Sequence, residues 1–257
     1  MAKDKQQRLA RLIEAVNGSG ILHLKHAADL LEVSEMTVRR DIAASRGRLS
    51  TLGGYVMAEA ELNGVGYTLD REEDVHRKGK AAACEHALRQ IKRDDTLFID
   101  CGTTMPHLAS RLSPSLNLTV VTYALNVAEI ISKKPGVQLV MIGGLYHKSS
   151  ASFSGEDGLI ALKRIRLNKA FISAGGVHLT RGVSCSNFHE VPAKRAAIDS
   201  ALASYLVIDS SKVGTVRPAH FAEVNEFRAV ISEVGLETPS STELPSGGQS
   251  QAIDRMP

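Results

Sequence analysis

No run in the 257-residue sequence approaches the roughly 18 to 20 consecutive apolar residues that cross a bilayer. The first residues, charged from Lys3 through Arg11, lack the apolar core of a secretory signal. These absences predict no membrane partner and a cytoplasmic protein. Cysteine is scarce too. Cys84, Cys101 and Cys185 are odd in number and share no C-x-x-C spacing, which excludes a disulfide framework and a zinc cluster and predicts three buried thiols. Neither a metal nor a cofactor is expected. Strong net charge is also missing: 31 basic residues against 28 acidic ones leave +3, too little by itself to imply a nucleic-acid partner. What is present is ordinary for a folded chain, with 43% hydrophobic and 23% charged residues. The length allows one domain of common size and a smaller one.

The small charge excess is placed unevenly. Residues 1 to 50 carry nine Lys or Arg against six acids, while the remaining 22 and 22 cancel. A basic module attached to a neutral body gives such a distribution, and so does a solvated charged face. Pattern separates the two readings. Leu9, Leu12, Ile13 and Val16 recur at the spacing of one helical face from Asp4 to Asn17, and Asn17-Gly18-Ser19-Gly20 stops that helix. A second helix is predicted over Leu24 to Leu31. A third follows at once, with Ser34 as N-cap, Glu35 against the positive end of the helix dipole, and Val33 and Val38 spaced as a hydrophobic staple. Three short helices with a tight turn before the last make a helix-turn-helix.

At about 100° per residue, Val38 and Ile42 of the third helix face inward, and Met36, Arg40 and Ala43 face outward with Thr37 and Arg39 beside them. That outer face suits the major groove of double-stranded operator DNA, where Arg forks onto guanine and methyl-sized groups meet thymine. The predicted DNA-contacting set is Ser34, Met36, Thr37, Arg39, Arg40 and Ala43, with Arg46 and Arg48 on phosphates. Leu49 to Val56, around Gly53-Gly54, reads as a β-hairpin wing. Residues 1–57 therefore form the DNA-binding domain, and 58–75, acidic and glycine-containing, a linker.

From residue 76 onward strand and helix signals alternate. Helices are expected near 79–92, 104–112, 124–133 and 190–203, and strands near 96–100, 118–122, 137–142, 169–173, 205–209 and 228–232. Short apolar strands separated by helices predict an α/β domain over 76–235, a parallel sheet covered on both faces. The tail 236–257, rich in Ser, Gly, Pro and Thr, is expected to be disordered. Ligands of such sheets bind beyond the carboxyl ends of the strands. Five polar or glycine-rich loops leave those ends: Asp100 with Gly102, Thr103 and Thr104; Thr122 to Asn126; Gly143-Gly144; Gly175-Gly176; and Asp209 through Lys212. The first would meet an anion with amides and hydroxyls, Lys212 would add a cation, and Asp100 and Asp209 would accept hydrogen bonds from hydroxyl groups. A phosphorylated polyol satisfies this mixture. His189 and Glu190 form a further polar cluster without an assigned role.

The run from Ala28 to Asp41, with Leu31, Val33, Ser34, Thr37, Val38, Arg39 and Arg40 in place, and Leu52-Gly53-Gly54-Tyr55 after it, resembles the helix-turn-helix signature of DeoR-type bacterial repressors. Asp100 to Thr104, Gly143-Gly144, Ala170-Phe171 followed by Gly175-Gly176, and Asp209 to Lys212 are similar, in order and spacing, to that family's sensor domain. The resemblance implies a winged helix-turn-helix joined to a domain folded like ribose phosphate isomerases, a sugar phosphate as effector, and a homo-oligomer, at least a dimer. Residues 174–178 and 214–219 resemble the deoxyribose-responsive members, which implies deoxyribose 5-phosphate as inducer. The competing reading is a sugar-phosphate isomerase or deaminase. Asp100, Asp209, Glu190 and His189 are its nominal acid and base groups, but none has a distinctive catalytic spacing, so no catalytic residue is assigned.

Overall fold

The computed structural model describes residues 2–19, 21–45, 48–52, 54–58 and 76–238. The predicted residues 59–75 of the linker and 239–257 of the tail, together with Arg46 and Gly53, lie outside them.

In the N-terminal unit, helix α1 (Ala2–Ser19) runs two residues beyond the expected span at each end. Strand β1 (Ile21–His23), α2 (Leu24–Leu31) and α3 (Glu35–Ala43) follow. The turn between α2 and α3 is held at both sides. Glu32 takes the left-handed conformation at φ +53° and its N–H donates to the carbonyls of Ala28 and Asp29, closing α2. Ser34 Oγ then accepts from the Thr37 amide at 3.2 Å and opens α3. Such a cap contributes about 1 kcal/mol. Val38 and Ile42 are buried with Leu12, Val16, Leu24 and Ala27 in a small core. Asp41 is buried as well, and Arg8 of α1 donates to its Oδ2 through Nε and Nη2 at 2.9 and 2.8 Å, fixing α3 against α1. The wing is a hairpin of β2 (Leu49–Leu52) and β3 (Tyr55–Ala58), with Thr51 opposite Val56. It gains a third strand, because β1 pairs with the other edge of β3.

The second unit has its own, larger core. It begins with α4 (Arg77–Leu88), β4 (Thr96–Ile99), α5 (Met105–Arg111), β5 (Leu118–Thr122), α6 (Leu125–Ile131) and β6 (Val137–Met141). A hairpin of β7 (Leu145–His147) and β8 (Ser152–Ser154) leads to α7 (Glu156–Arg164) and β9 (Leu167–Ile172). Then come β10 (Gly176–His178), β11 (Gly182–Cys185), α8 (Val191–Ser200), β12 (Ala201–Val207), β13 (Ala219–Ala222), β14 (Ala229–Ser232) and β15 (Gly235–Glu237). The last strand takes in Leu236 and Glu237, the first two residues of the segment expected to be a tail.

Seven strands form the main sheet in the order β15-β14-β12-β9-β4-β5-β6, all parallel except β15. Phe98 stacks on Tyr123 and Phe171 on Tyr205, at ring separations of 5.9 and 5.5 Å, layering the strands from above. The order fixes where a ligand belongs. The chain winds outward from β4 through β5 to β6, returns to β9 on the other side of β4, and continues through β12 to β14. Winding reverses between β4 and β9, so the crevice of the doubly wound sheet opens past Ile99 and Ile172. Among the described residues no helix is long and apolar enough to cross a membrane.

Candidate functional site

On α3 the two faces separate as the spacing predicts. Val38 and Ile42 are buried, Met36 is 74% exposed, and Arg39, Arg40 and Ala43 are exposed. Ser34 and Thr37 sit at the start of this face with their hydroxyls 3.0 Å apart, so part of their hydrogen-bonding capacity goes to the cap. Arg48 is exposed and its Nε donates to the Ser45 carbonyl at 3.3 Å. Arg46 lies outside the described residues.

At the winding reversal a narrow polar cleft is lined by Gly102, Thr103 and Thr104 after β4, Ser173 and Gly175 after β9, and the lysines Lys80, Lys194 and Lys212. The turn after β4 depends on Gly102, whose φ of +94° an L side chain rarely adopts. Asn126 Nδ2 donates to the Gly102 carbonyl at 3.3 Å, and the Cys84 thiol to the Thr104 carbonyl at 3.3 Å, so the turn is braced from two helices. Under it lies a buried ionic cluster. Asp100, fully buried, accepts from Lys194 Nζ at 2.5 Å, from the Ser173 amide at 2.8 Å and hydroxyl at 2.9 Å, and from the Tyr123 hydroxyl at 2.8 Å. Lys194 also faces Glu190 Oε2 at 3.5 Å and donates to the Ser173 carbonyl at 3.1 Å. Asn187 donates to Glu190 Oε1 at 2.7 Å. Burial alone would lower the Lys194 ammonium, but Asp100 in contact, with Cys101 and Glu190 behind it, outweighs burial and holds it well above its ordinary value. Lys194 is therefore a permanent cation. Burial pushes the Cys101 thiol and the Tyr123 phenol upward, so both stay protonated.

The structure sorts the predicted effector residues. Gly102, Thr103, Thr104, Gly175 and Lys212 come together at the cleft. Asp100 lies beneath it with both oxygens already committed, so it organises the floor instead of accepting from a ligand hydroxyl. Asp209 is different: Oδ1 accepts from the Ser211 amide at 3.2 Å, while Oδ2 is buried without a hydrogen-bond partner among the described residues. Gly143 and Gly144 do not reach the cleft. They follow β6, two strands removed from β4, or about 10 Å at the usual strand spacing. Gly176 faces strand packing, since a Cβ there would lie 2.4 Å from the Thr215 carbonyl oxygen.

Sequence reasoning missed Lys80, Ser173 and Lys194, and left Glu190 without a role. The signal was there in the helices. Lys80 heads the stripe completed by Ala83, Cys84 and Ala87, and Lys194 shares a stripe with Ala197 and Ile198, so each lysine occupies the buried face of its helix. Each is about 1% exposed, which a lysine tolerates only beside compensating charge or a ligand. Among the described residues no group of three or more His, Cys, Asp or Glu side chains converges as metal ligands.

His189 connects the cleft to its surroundings. Its ring stacks on His147 at 3.6 Å and shares a hydrogen bond with Ser150 Oγ at 3.0 Å. Burial, then His147 and Lys194, push its pKa down to about 4. The unfolded chain therefore binds a proton that the folded one refuses between about 6.5 and 4, and stability falls as pH drops through that window. We expect His189→Gln to flatten the loss of melting temperature over this range, read by calorimetry at successive pH values. An unchanged slope would assign the acid sensitivity elsewhere.

Comparison with known proteins agrees with both halves of the structure. Residues 8–60 match the DeoR-like helix-turn-helix domain and residues 75–234 the DeoR C terminal sensor domain. The deoxyribose operon repressor of Escherichia coli (strain K12) is 36% identical over 233 residues, 91% of this chain and 92% of that protein. The lactose phosphotransferase system repressor of Streptococcus mutans is 30% identical over 89% of this chain and 92% of its own. IolR, an HTH-type transcriptional regulator of Bacillus subtilis, is 28% identical over 91% and 93%. Among solved structures, ribose 5 phosphate isomerase A from Neisseria gonorrhoeae superposes with a TM-score of 0.38 at 12% identity, covering 53% of each chain. With a helix-turn-helix unit and a sensor unit both matched, and relatives of 30% identity or more over about nine tenths of each chain, the chain belongs to the DeoR family of transcriptional regulators.

Proposed function

We propose that this regulator represses an operon of sugar or deoxyribonucleoside catabolism in the cytoplasm and is released from its operator by a phosphorylated sugar, deoxyribose 5-phosphate, bound in the cleft. One observation carries the effector reading: three lysines from three separate elements converge with the Gly102–Thr104 turn on a single opening. Ammonium groups with backbone amides and threonine hydroxyls bind phosphate. The exposed face of α3 supports the DNA reading, and reading two half-sites calls for at least a dimer.

The cleft also supports a route for release. Its free volume is about 40 Å³, room for a few water molecules. A sugar phosphate held there bears on Lys80, one of its walls. Lys80 is in the first turn of α4, where the chain arrives from the DNA-binding unit, and the neighbouring Gly79 packs within 3.5 Å of Asp209 measured from the place of its missing Cβ. An effector that shifts this turn favours a state in which paired helix-turn-helix units no longer fit the operator, so DNA affinity drops.

The test titrates fluorescent promoter DNA with the protein, alone, with deoxyribose 5-phosphate, and with free deoxyribose. Release by the phosphorylated sugar only is expected. Lys212→Ala should bind DNA as before yet need about tenfold more effector, the worth of one charge-assisted contact. Release of this variant at wild-type effector concentration would remove Lys212 from the site. Turnover of the sugar phosphate by the purified protein would favour the enzyme reading instead.

A further inference from the structure

A second cavity opens at the same edge of the sheet, past the ends of β5 and β6, and no step of the repressor reading uses it. Its volume is about 430 Å³. The walls are Tyr123, Ile142, Phe153, Leu159 and Leu162, and the exposed residues Gly143, Gly155, Glu156 and Pro192 frame its mouth. Folded interiors leave few voids larger than a water molecule, and even a 150 Å³ apolar void takes up benzene. The space is built by the backbone. Gly144, at φ +144°, lets β8 approach so closely that a Cβ would lie 2.2 Å from the Ser154 carbonyl oxygen, while a Cβ at Gly143 would meet nothing within 4 Å. One glycine thus lets β8 pack close, and its neighbour leaves open space at the mouth.

We propose that this cavity binds an uncharged, flat nitrogen heterocycle bearing an N–H donor, and that its occupant acts on the polar cleft as a co-effector. The apolar walls receive the ring. Glu156 at the mouth accepts the N–H, and no lysine or arginine lines the cavity, so phosphates and carboxylates are turned away. The His189 imidazole, neutral at physiological pH, adds no positive charge. Two side chains connect the chambers. Tyr123 presents its ring to the cavity and its hydroxyl to Asp100, and His189 stands between Asn187 and Glu190, which line the cleft. A ring that reorients either one moves the floor on which the effector rests.

The sequence contains no tryptophan, so indole is a probe read without background. Titrated into full-length protein, indole should shift its emission to the blue and saturate. Gly143→Leu and Ala193→Leu, which add bulk at two lining positions on separate elements, should each weaken binding at least about tenfold, and Glu156→Gln should weaken indole but not naphthalene. Circular dichroism checks that each variant is folded. No saturable shift with the wild type, or equal binding by both filled variants, overturns the proposal. Binding that appears only on dilution to monomer also overturns it, because the cavity then holds a second copy of the chain. Promoter release by deoxyribose 5-phosphate, measured on the same samples with and without indole, separates the two claims. The proposal expects indole to change the effector concentration needed, and no change removes the co-effector role, whereas the sugar-phosphate reading fails only if release itself is absent.

Discussion

Replacing Lys194 with methionine is expected to lower the stability of the sensor unit by about 3 kcal/mol, the low end of the range for breaking a buried ion pair. Lys194 and Asp100 are both essentially without solvent access, so water cannot take over when the ammonium is removed. Asp100 keeps the Tyr123 hydroxyl and the Ser173 amide and hydroxyl as donors, which is why the low end applies. Glu190 loses its cation at 3.5 Å as well, and two carboxylates are left facing one buried site. Methionine matches the stem of lysine in length, so the loss reports charge and not a cavity. Urea unfolding at neutral pH measures it. The double change Lys194→Met with Asp100→Asn should recover part of the loss, since removing both members of a buried pair costs less than removing one. No recovery in the double variant would mean that Lys194 acts through packing. Effector response should disappear in the single variant, because the floor of the cleft and one of its three lysines go together.

That such a cluster escaped the sequence while much of the fold did not has a physical reason. β5 was legible to the residue because Leu118 to Thr122 is a compact apolar run, and the start and inner face of α3 because Ser34 and the Val38–Ile42 spacing are local signals. β7, β8, β10 and β11 are three or four residues long, too short to show a period, and α7 follows Gly155 and contains Gly158. The turn Gly102–Thr104 was legible as a polar loop after a strand. Lys194 was not, since a single lysine in a helix reads as solvated until the strand order places Asp100 and Ser173 beneath it. The distance of Gly143-Gly144 from the cleft was hidden for the same cause. A glycine pair after a strand shows which edge it occupies, and only the pairing of β5 with β6 shows that it stands two strands from β4.

Arg40→Ala should weaken operator binding by about tenfold to a hundredfold, equivalent to about 1–3 kcal/mol for a lost arginine fork on a base edge. The prediction is sharp because the helix has little stake in this side chain beyond its charge in the last turn. Arg40 is exposed, while its neighbour Asp41 turns inward to Arg8 and Val38 and Ile42 hold the core, so alanine removes a surface group and adds helix propensity. Melting of the protein should stay the same, which separates loss of contact from loss of fold. Binding measured against salt divides the roles on the face. If Arg40 reads a base, affinity for the operator falls toward that for unrelated DNA and the salt slope hardly changes. If it meets a phosphate, both affinities fall together and the slope shallows by about one unit. Arg39→Ala serves as the companion, since Arg39 is also exposed but flanks the outer face defined by Met36, Arg40 and Ala43. Effector binding in the cleft should be untouched in both, because neither arginine lines it. Operator affinity unchanged in the Arg40 variant would move the reading surface off this side of α3, whatever the family.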